Sequence, residues 1–245
     1  MSTMWRIADV VSGVPETETS RTIGLRVAGL DGYLAGQHID VRLTADDGYS
    51  AVRSYSVATA RMGGILEITV AELADGEVSP YLVRDLAVGE QLEIRGPVGG
   101  WFVWRPSDPN PVQLIAGGSG VVPLMSMVRA HEASANPSQF RLLYSLKSPE
   151  AGFYREELRT LGLESSRFSV DYVYTRSVPV GWPNPPARLT AGTLLANILP
   201  VDVAPDIFVC GQTVFVETVA EWLVQAGYPA ATIKTERFGG TGGTR

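Results

Sequence analysis

The stretch Leu114–Ala130 (LIAGGSGVVPLMSMVRA) constrains this chain more than any other. An apolar run, Val112–Ala116, reads as a buried strand and stops at Gly117-Gly118-Ser119-Gly120. Apolar residues then recur at helical spacing at Val121, Leu124, Met125 and Val128, which predicts a helix over Val122–Ala133. Pro123 suits the first turn of that helix, where a missing N–H has no intrahelical partner to lose. Strand, glycine turn and helix N-terminus together offer unpaired backbone N–H groups and a positive dipole end to an anion, typically a phosphate. A tight strand-to-helix turn that uses glycine for geometry alone leaves the same pattern, so the rest of the chain must decide.

Two sharper readings of these residues fail. The dinucleotide fingerprint G-x-G-x-x-G needs a third glycine, and Gly118-Ser119-Gly120-Val121-Val122 is followed by Pro123. The nucleophile elbow G-x-S-x-G needs glycine where Val121 stands. A hydrolase also lacks partners for Ser119: the chain has only His38 and His131, and His131 lies at the far end of the helix that follows Ser119.

Composition removes further classes. The chain has 245 residues, 45% apolar and 19% charged, enough for one large or two ordinary domains with a sizeable core. A formal net charge of −6 leaves no basic excess to neutralise nucleic-acid phosphates. No apolar run approaches the ~20 residues of a membrane-spanning helix, and MSTMWRIADV has no signal-peptide pattern, so the expectation is a cytoplasmic protein without a membrane partner. Cys210 is the sole cysteine. It allows no disulfide framework, no structural zinc site and no iron–sulfur cluster within these residues, so metal ligands are expected to be absent and redox chemistry has to use an organic cofactor.

The first hundred residues read as antiparallel β structure. Short runs at Trp5–Val11, Thr22–Val27, His38–Leu43, Val52–Val57, Ile65–Ala71 and Gln91–Arg95 are separated by turn signals at Ser12-Gly13, Asp31-Gly32, Asp46-Asp47-Gly48, Gly63-Gly64 and Val88-Gly89. Six such strands suggest a small barrel or sandwich. One helix is expected at Ser79–Leu86, with Ser79 as N-cap and Pro80 at its first position. Pro106–Pro111 (PSDPNP) is a rigid polar linker, which divides the chain into residues 1–106 and 111–245. Beyond it, strands at Val112–Ala116, Arg141–Ser145, Phe168–Tyr174, Asp206–Cys210 and Thr232–Phe238 alternate with helices at Val122–Ala133, Tyr154–Leu161, Thr190–Leu199 and Val214–Ala226. Gly181–Pro186 is a loop. The alternation predicts a doubly wound, five-stranded parallel sheet.

Open parallel sheets bind ligands beyond the carboxyl ends of their strands, where strand order reverses. With the order 3-2-1-4-5, Gly117–Gly120 and Cys210-Gly211 flank that point. In the first half, Arg53-Ser54-Tyr55-Ser56 offers a guanidinium for a pyrophosphate, a ring to stack on a flat cofactor and a hydroxyl for a ring nitrogen. Alternation turns Arg53 and Tyr55 one way and Ser54 and Ser56 the other. The turn Gly76-Glu77-Val78-Ser79-Pro80 is a second place where an anion can bind, or a simple cap.

Together these pieces resemble the ferredoxin–NADP reductase superfamily over nearly the whole chain. The matching residues run in that family's order: Arg53-Ser54-Tyr55-Ser56, Gly76-x-Val78-Ser79, Gly96-Pro97-Val98-Gly99, Gly117–Pro123, Cys210-Gly211 and Glu236-Arg237-Phe238. The resemblance implies an antiparallel six-stranded FAD-binding β-barrel followed by an NAD(P)-binding α/β domain. It puts the FAD pyrophosphate on Arg53 and Ser79, the flavin against Tyr55, and the flavin's reactive nitrogen at Ser56. It puts the NAD(P) pyrophosphate at Gly117–Gly120, Cys210 and Glu236 beside the nicotinamide, and Phe238 over the flavin ring. Lys147, just after the second strand of the parallel sheet, would lie near the adenine ribose and suits a 2′-phosphate; Glu150 suits a free ribose diol. The chain departs from many relatives in having Gln212 rather than proline after Cys210-Gly211, and in continuing past Phe238 with Gly239–Arg245 (GGTGGTR), for which disorder is expected. The fused [2Fe–2S] domain of many oxygenase reductases has no counterpart in this sequence.

The function implied is an FAD-dependent NAD(P)H oxidoreductase that hands single electrons to a separate carrier, a ferredoxin or an oxygenase component. A non-catalytic flavin-binding subunit or sensor and a free-flavin reductase stay open as alternatives, because a fold alone does not fix an activity.

Overall fold

The computed structural model describes residues 4–30, 32–59 and 64–238. The tail Gly239–Arg245, Asp31 of one expected turn and Gly63 of another lie outside the described residues. The chain divides into two compact units: Met1–Pro106 with Met125–Ser134, and Ser107–Leu124 with Ala135–Arg245. Among the described residues no helix is long and apolar enough to cross a membrane.

The first unit is an antiparallel sheet of six strands: β1 (Arg6–Thr17), β2 (Ser20–Val27), β3 (His38–Thr44), β4 (Ser50–Ser56), β5 (Ile65–Ala71) and β6 (Gln91–Val98). Their order is β4-β3-β6-β1-β2-β5. A bridge between Val57 and Ile68, with the Ala58 N–H donating to the Glu67 carbonyl at 2.8 Å, joins the two outer strands and closes the sheet into the expected barrel. Closure removes the free edges that an open sheet leaves exposed. Its interior is an apolar cluster that includes Ala8, Val10, Ile23, Leu25, Ile39, Val41, Leu66, Ile68 and Ile94.

Two details differ from expectation. Ser12-Gly13 makes no turn: β1 runs on to Thr17 through a bulge between Val10 and Ser12, and the reversal falls between Thr17 and Ser20. The Arg21 guanidinium lies over Gly13, 2.0 Å from where a Cβ would stand. The second concerns the helix expected at Ser79–Leu86. It runs from Ser79 and Pro80 into a π-helical turn, Tyr81–Asp85, in which the Leu86 N–H reaches the Tyr81 carbonyl at 2.9 Å. Leu82 and Leu86 both enter the barrel core.

A polar ladder crosses three neighbouring strands. Asp40 of β3 pairs in register with Ser54 of β4 and with Arg95 of β6. Its carboxylate accepts from the Ser54 hydroxyl at 2.6 Å and from Arg95 at 2.7 Å. Arg42, held by Glu93, and Arg95 both lie over the Trp5 ring, 4.3 and 5.1 Å from its centre. Burial alone would raise the Asp40 pKa, but the Ser54 and Arg95 bonds outweigh it and hold the carboxyl below its usual range.

The second unit is a parallel sheet of β7 (Val112–Gly117), β8 (Phe140–Leu146), β9 (Phe168–Tyr174), β10 (Asp206–Gln212) and β11 (Ile233–Phe238), in the order β11-β10-β7-β8-β9. That is the expected order, with its reversal between β7 and β10. Its helices are α1 (Val121–Glu132), α2 (Arg155–Glu164), α3 (Ala191–Ala196) and α4 (Thr213–Gln225), and Met125 onward of α1 groups with the first unit. The central strand β7 is buried along almost its whole length, which is why its sequence shows an apolar run rather than alternation. Ile115, Leu143, Ile207 and Val209 share a core with Leu194 of α3 and with Val216, Val219 and Leu223 of α4. Helix α4 ends at Gly227 (φ 92°), where the Gly227 and Tyr228 N–H groups donate back to the Val224 and Leu223 carbonyls. The loop containing Gly181–Pro186 lies along the outer strand β9: Trp182 meets Tyr174 edge-on at 5.0 Å, and Tyr174 stacks on Tyr172.

Asp40→Asn is expected to destabilise the chain by about 1–2 kcal/mol near neutral pH, the usual cost of losing charge-assisted bonds. A carboxyl held low contributes stability above its unfolded pKa and loses it as pH falls through its folded pKa. Guanidinium unfolding at several pH values checks this: the wild-type and Asp40→Asn curves should converge in acid, and parallel curves would contradict the assignment.

Candidate cofactor-binding sites

The first cluster is built on the barrel. Strand β4 delivers Arg53, Ser54, Tyr55 and Ser56 in alternation, and Ser54 is committed to Asp40. Tyr55 packs against the barrel core, and burial pushes its phenol up to about 12 despite the nearby Arg53 charge. The ring is therefore neutral at physiological pH and suited to stacking. Ser56 closes the strand as a buried residue.

Arg53 is half-exposed and aimed by two acceptors. It donates to the Val52 carbonyl at 2.8 Å and to Glu77 at 2.5 Å, while the other Glu77 oxygen accepts from the Tyr49 hydroxyl at 2.8 Å. Glu77 thereby ties Arg53 to the turn that contains Gly76, Val78 and Ser79. Val78 is buried in the barrel core. Ser79 is buried too, but it lies inside the helical turn rather than capping it. Its oxygen accepts from the Leu73 N–H at 3.0 Å, which leaves its hydroxyl proton to donate. A Cβ on Gly76 would fall 2.8 Å from that same oxygen and 3.0 Å from the Leu73 carbonyl oxygen, so a side chain there would push on both. A cationic guanidinium, a hydroxyl donor and a neutral ring gathered in this way fit a flavin that carries a pyrophosphate.

The second cluster stands at the switch point of the parallel sheet. Gly117 ends β7, a 3-10 turn covers Gly118–Gly120, and α1 starts at Val121. Gly118 has φ 55° and open space where a side chain would stand, so its backbone is free to meet a ligand. Gly120 is the opposite case: a Cβ there would lie 2.2 Å from the Cys210 carbonyl oxygen. Cβ atoms on Gly117 or Gly211 would strike the Phe215 ring at 2.8 and 2.9 Å. The turn, half-buried Ser119 included, is thus drawn tight against the end of β10, a cradle that fits a pyrophosphate at a helix N-terminus.

Register does the rest. Cys210 pairs with Ala116 on one side and Glu236 on the other, and Gln212 pairs with Phe238. Parallel partners share a face, so Cys210 and Glu236 stand side by side. Burial pushes the Cys210 thiol well above its ordinary pKa and the Glu236 charge adds to that. It is a neutral thiol, unsuited to nucleophilic attack. Arg237 turns to the other face, to Glu217.

Lys147 lies exposed just past β8, and its carbonyl accepts from the Arg176 and Ser177 N–H groups at 2.9 and 3.1 Å. Glu150 stands in the following turn, its pKa lowered first by the Ser148 hydroxyl and then by its own backbone N–H. Two residues here escaped the sequence reading. Glu77 and Tyr49 were hidden because their importance lies in a contact between a hairpin and a distant turn.

Family models for an oxidoreductase FAD-binding domain and an oxidoreductase NAD-binding domain match residues 22–103 and 114–221. The chain is 31% identical over 210 residues to the glycine betaine monooxygenase reductase subunit of Chromohalobacter salexigens, covering 84% of this chain and 56% of that protein. It is 26% identical over 245 residues to the reductase component of propane 2-monooxygenase from Rhodococcus jostii, covering 95% of this chain and 64% of that one. The chain thus spans between about half and two thirds of these relatives. Its fold matches the FAD/NAD-binding domain of a nitric oxide dioxygenase from Vibrio cholerae with a TM-score of 0.84 at 24% identity, over 96% of this chain and 99% of that one.

Gly120→Ala is expected to cost at least ~2 kcal/mol, an overpacking penalty in a site that cannot relax. Gly118→Ala should cost only ~1 kcal/mol, the strain of a left-handed alanine, because nothing stands in its way. Thermal melts of the two variants check the contrast; equal losses would contradict this account of the turn.

Proposed function

The chain belongs to the ferredoxin–NADP reductase superfamily, and we propose that it takes hydride from NAD(P)H onto FAD and passes electrons singly to a separate carrier. The observation that carries this reading is the glycine turn at the switch point with Cys210 and Glu236 beside it, in a chain whose barrel also gathers Arg53, Tyr55 and Ser79. We assign FAD to residues 1–106 and NAD(P) to residues 111–245. FAD, when bound, accepts a hydride as an electron pair and gives the electrons up one at a time.

The residues divide the work. Arg53 and the Ser79 hydroxyl hold the FAD pyrophosphate, with Gly76 and Val78 shaping the turn that presents Ser79. Tyr55 lies against the isoalloxazine, and Ser56 donates to its reactive nitrogen. Ser54 acts at one remove, holding β4 in register through Asp40. Gly117, Gly118, Ser119 and Gly120 receive the NAD(P) pyrophosphate. Cys210, Gly211 and Glu236 stand beside the nicotinamide, where a neutral thiol and a small backbone let a flat ring approach. Lys147 is assigned to the adenine ribose and its 2′-phosphate. The names of the relatives, reductase parts of glycine betaine and propane monooxygenases, support an oxygenase component as acceptor, with a ferredoxin as the other candidate. The reading places the protein in the cytoplasm, where NAD(P)H is supplied.

Acid-released flavin from the purified protein is expected to be FAD; recovery of stoichiometric FMN would overturn the assignment of Arg53 and Ser79. Glu236→Gln is expected to slow flavin reduction at least ~10-fold, about 1.4 kcal/mol of barrier, with FAD retention unchanged. An unaltered rate would remove Glu236 from the nicotinamide site.

A further inference from the structure

Arg53 has a carboxylate partner where the reading above puts a pyrophosphate. Glu77 receives Arg53 on one oxygen at 2.5 Å and the Tyr49 hydroxyl on the other at 2.8 Å, and it sits in the same turn as Gly76 and Ser79. Both members of the ion pair are half-exposed. We propose that Glu77 is an anionic placeholder for the FAD pyrophosphate, paired with Arg53 when the flavin is away and displaced when it binds. The proposal rests on the assignment of Arg53 to that pyrophosphate.

Charge decides between displacement and joint binding. The Arg53–Glu77 pair is neutral, so it attracts an anion weakly, whereas a lone guanidinium attracts it strongly. A carboxylate left beside a pyrophosphate that carries two negative charges repels it. Moving Glu77 into water costs little, because exposed ion pairs are weak and the displaced carboxylate hydrates readily. The swap lowers the net gain on binding and leaves FAD exchangeable. Glu77 is thus a positioning residue: it keeps Arg53 aimed at the turn and sets how tightly flavin is retained.

The test follows FAD release when the flavin-loaded full chain is diluted, read as the rise in flavin fluorescence, at several salt concentrations, with folding checked by circular dichroism. Glu77→Gln keeps the shape and removes the charge. It is expected to lower the FAD dissociation constant about three- to tenfold at low salt, with the gap closing at high salt as the freed guanidinium is screened. Arg53→Ala is expected to raise the constant. If Arg53→Ala raises it while Glu77→Gln raises it or leaves it unchanged, the placeholder is overturned and the Arg53 assignment stands. A gap that persists at high salt also overturns it, since a structural effect of the substitution would not be screened. If Arg53→Ala changes nothing, the pyrophosphate assignment fails and the placeholder fails with it.

Discussion

The close seating of Gly120 on the end of β10 is the constraint on which the nucleotide half depends. No side chain can stand there, because its Cβ would lie 2.2 Å from the Cys210 carbonyl oxygen. That seating draws the glycine turn to the point where strand order reverses, between β7 and β10. Parallel register then sets Glu236 beside Cys210 and Phe238 beside Gln212. A glycine turn, a neutral thiol, a carboxylate and an aromatic ring are gathered by backbone geometry before any side chain chooses a rotamer. What distinguishes such a site from a plain strand-to-helix turn is Gly118, whose backbone faces open space.

The barrel reaches its cluster by other means. Antiparallel pairing fixes which face of β4 each residue occupies, and the Ser54–Asp40–Arg95 ladder pins β4 to β3 and β6 from one side. Arg53 and Tyr55 are left to the other. Tyr55 is immobilised by packing against the core, and Arg53 by hydrogen bonds to Val52 and Glu77. An aromatic ring held by packing is rigid, while an exposed ion pair is exchangeable, which suits one to orient a ring and the other to catch and release an anion.

Most of the fold was legible because its signals are local. Ile65–Ala71 and Phe168–Tyr174 stand in the structure at the bounds their patterning predicts, and the parallel sheet takes the order in which the two glycine-ended strands flank the switch point. The failures share a cause. Ser12-Gly13 looks like a turn, but its glycine lies under Arg21 of the neighbouring strand. Ser79 looks like an N-cap, but its hydroxyl answers to Leu73 across a turn. Glu77 looked like filler within a motif, and its meaning comes from Arg53 and Tyr49 on another element. Residue type and spacing reveal elements; they do not reveal which distant group completes a side chain's bonding.

The central claim is that this chain moves hydride from a nicotinamide to a flavin that it holds. The most direct measurement is anaerobic stopped-flow mixing of the purified protein with NADH or NADPH, following the visible absorption of the flavin. The account predicts that the band bleaches within a single turnover, and that deuterium at the transferred position of the nicotinamide slows the bleaching. A flavin that chemical reductant bleaches but neither coenzyme does would contradict it and favour a non-catalytic flavin-binding subunit.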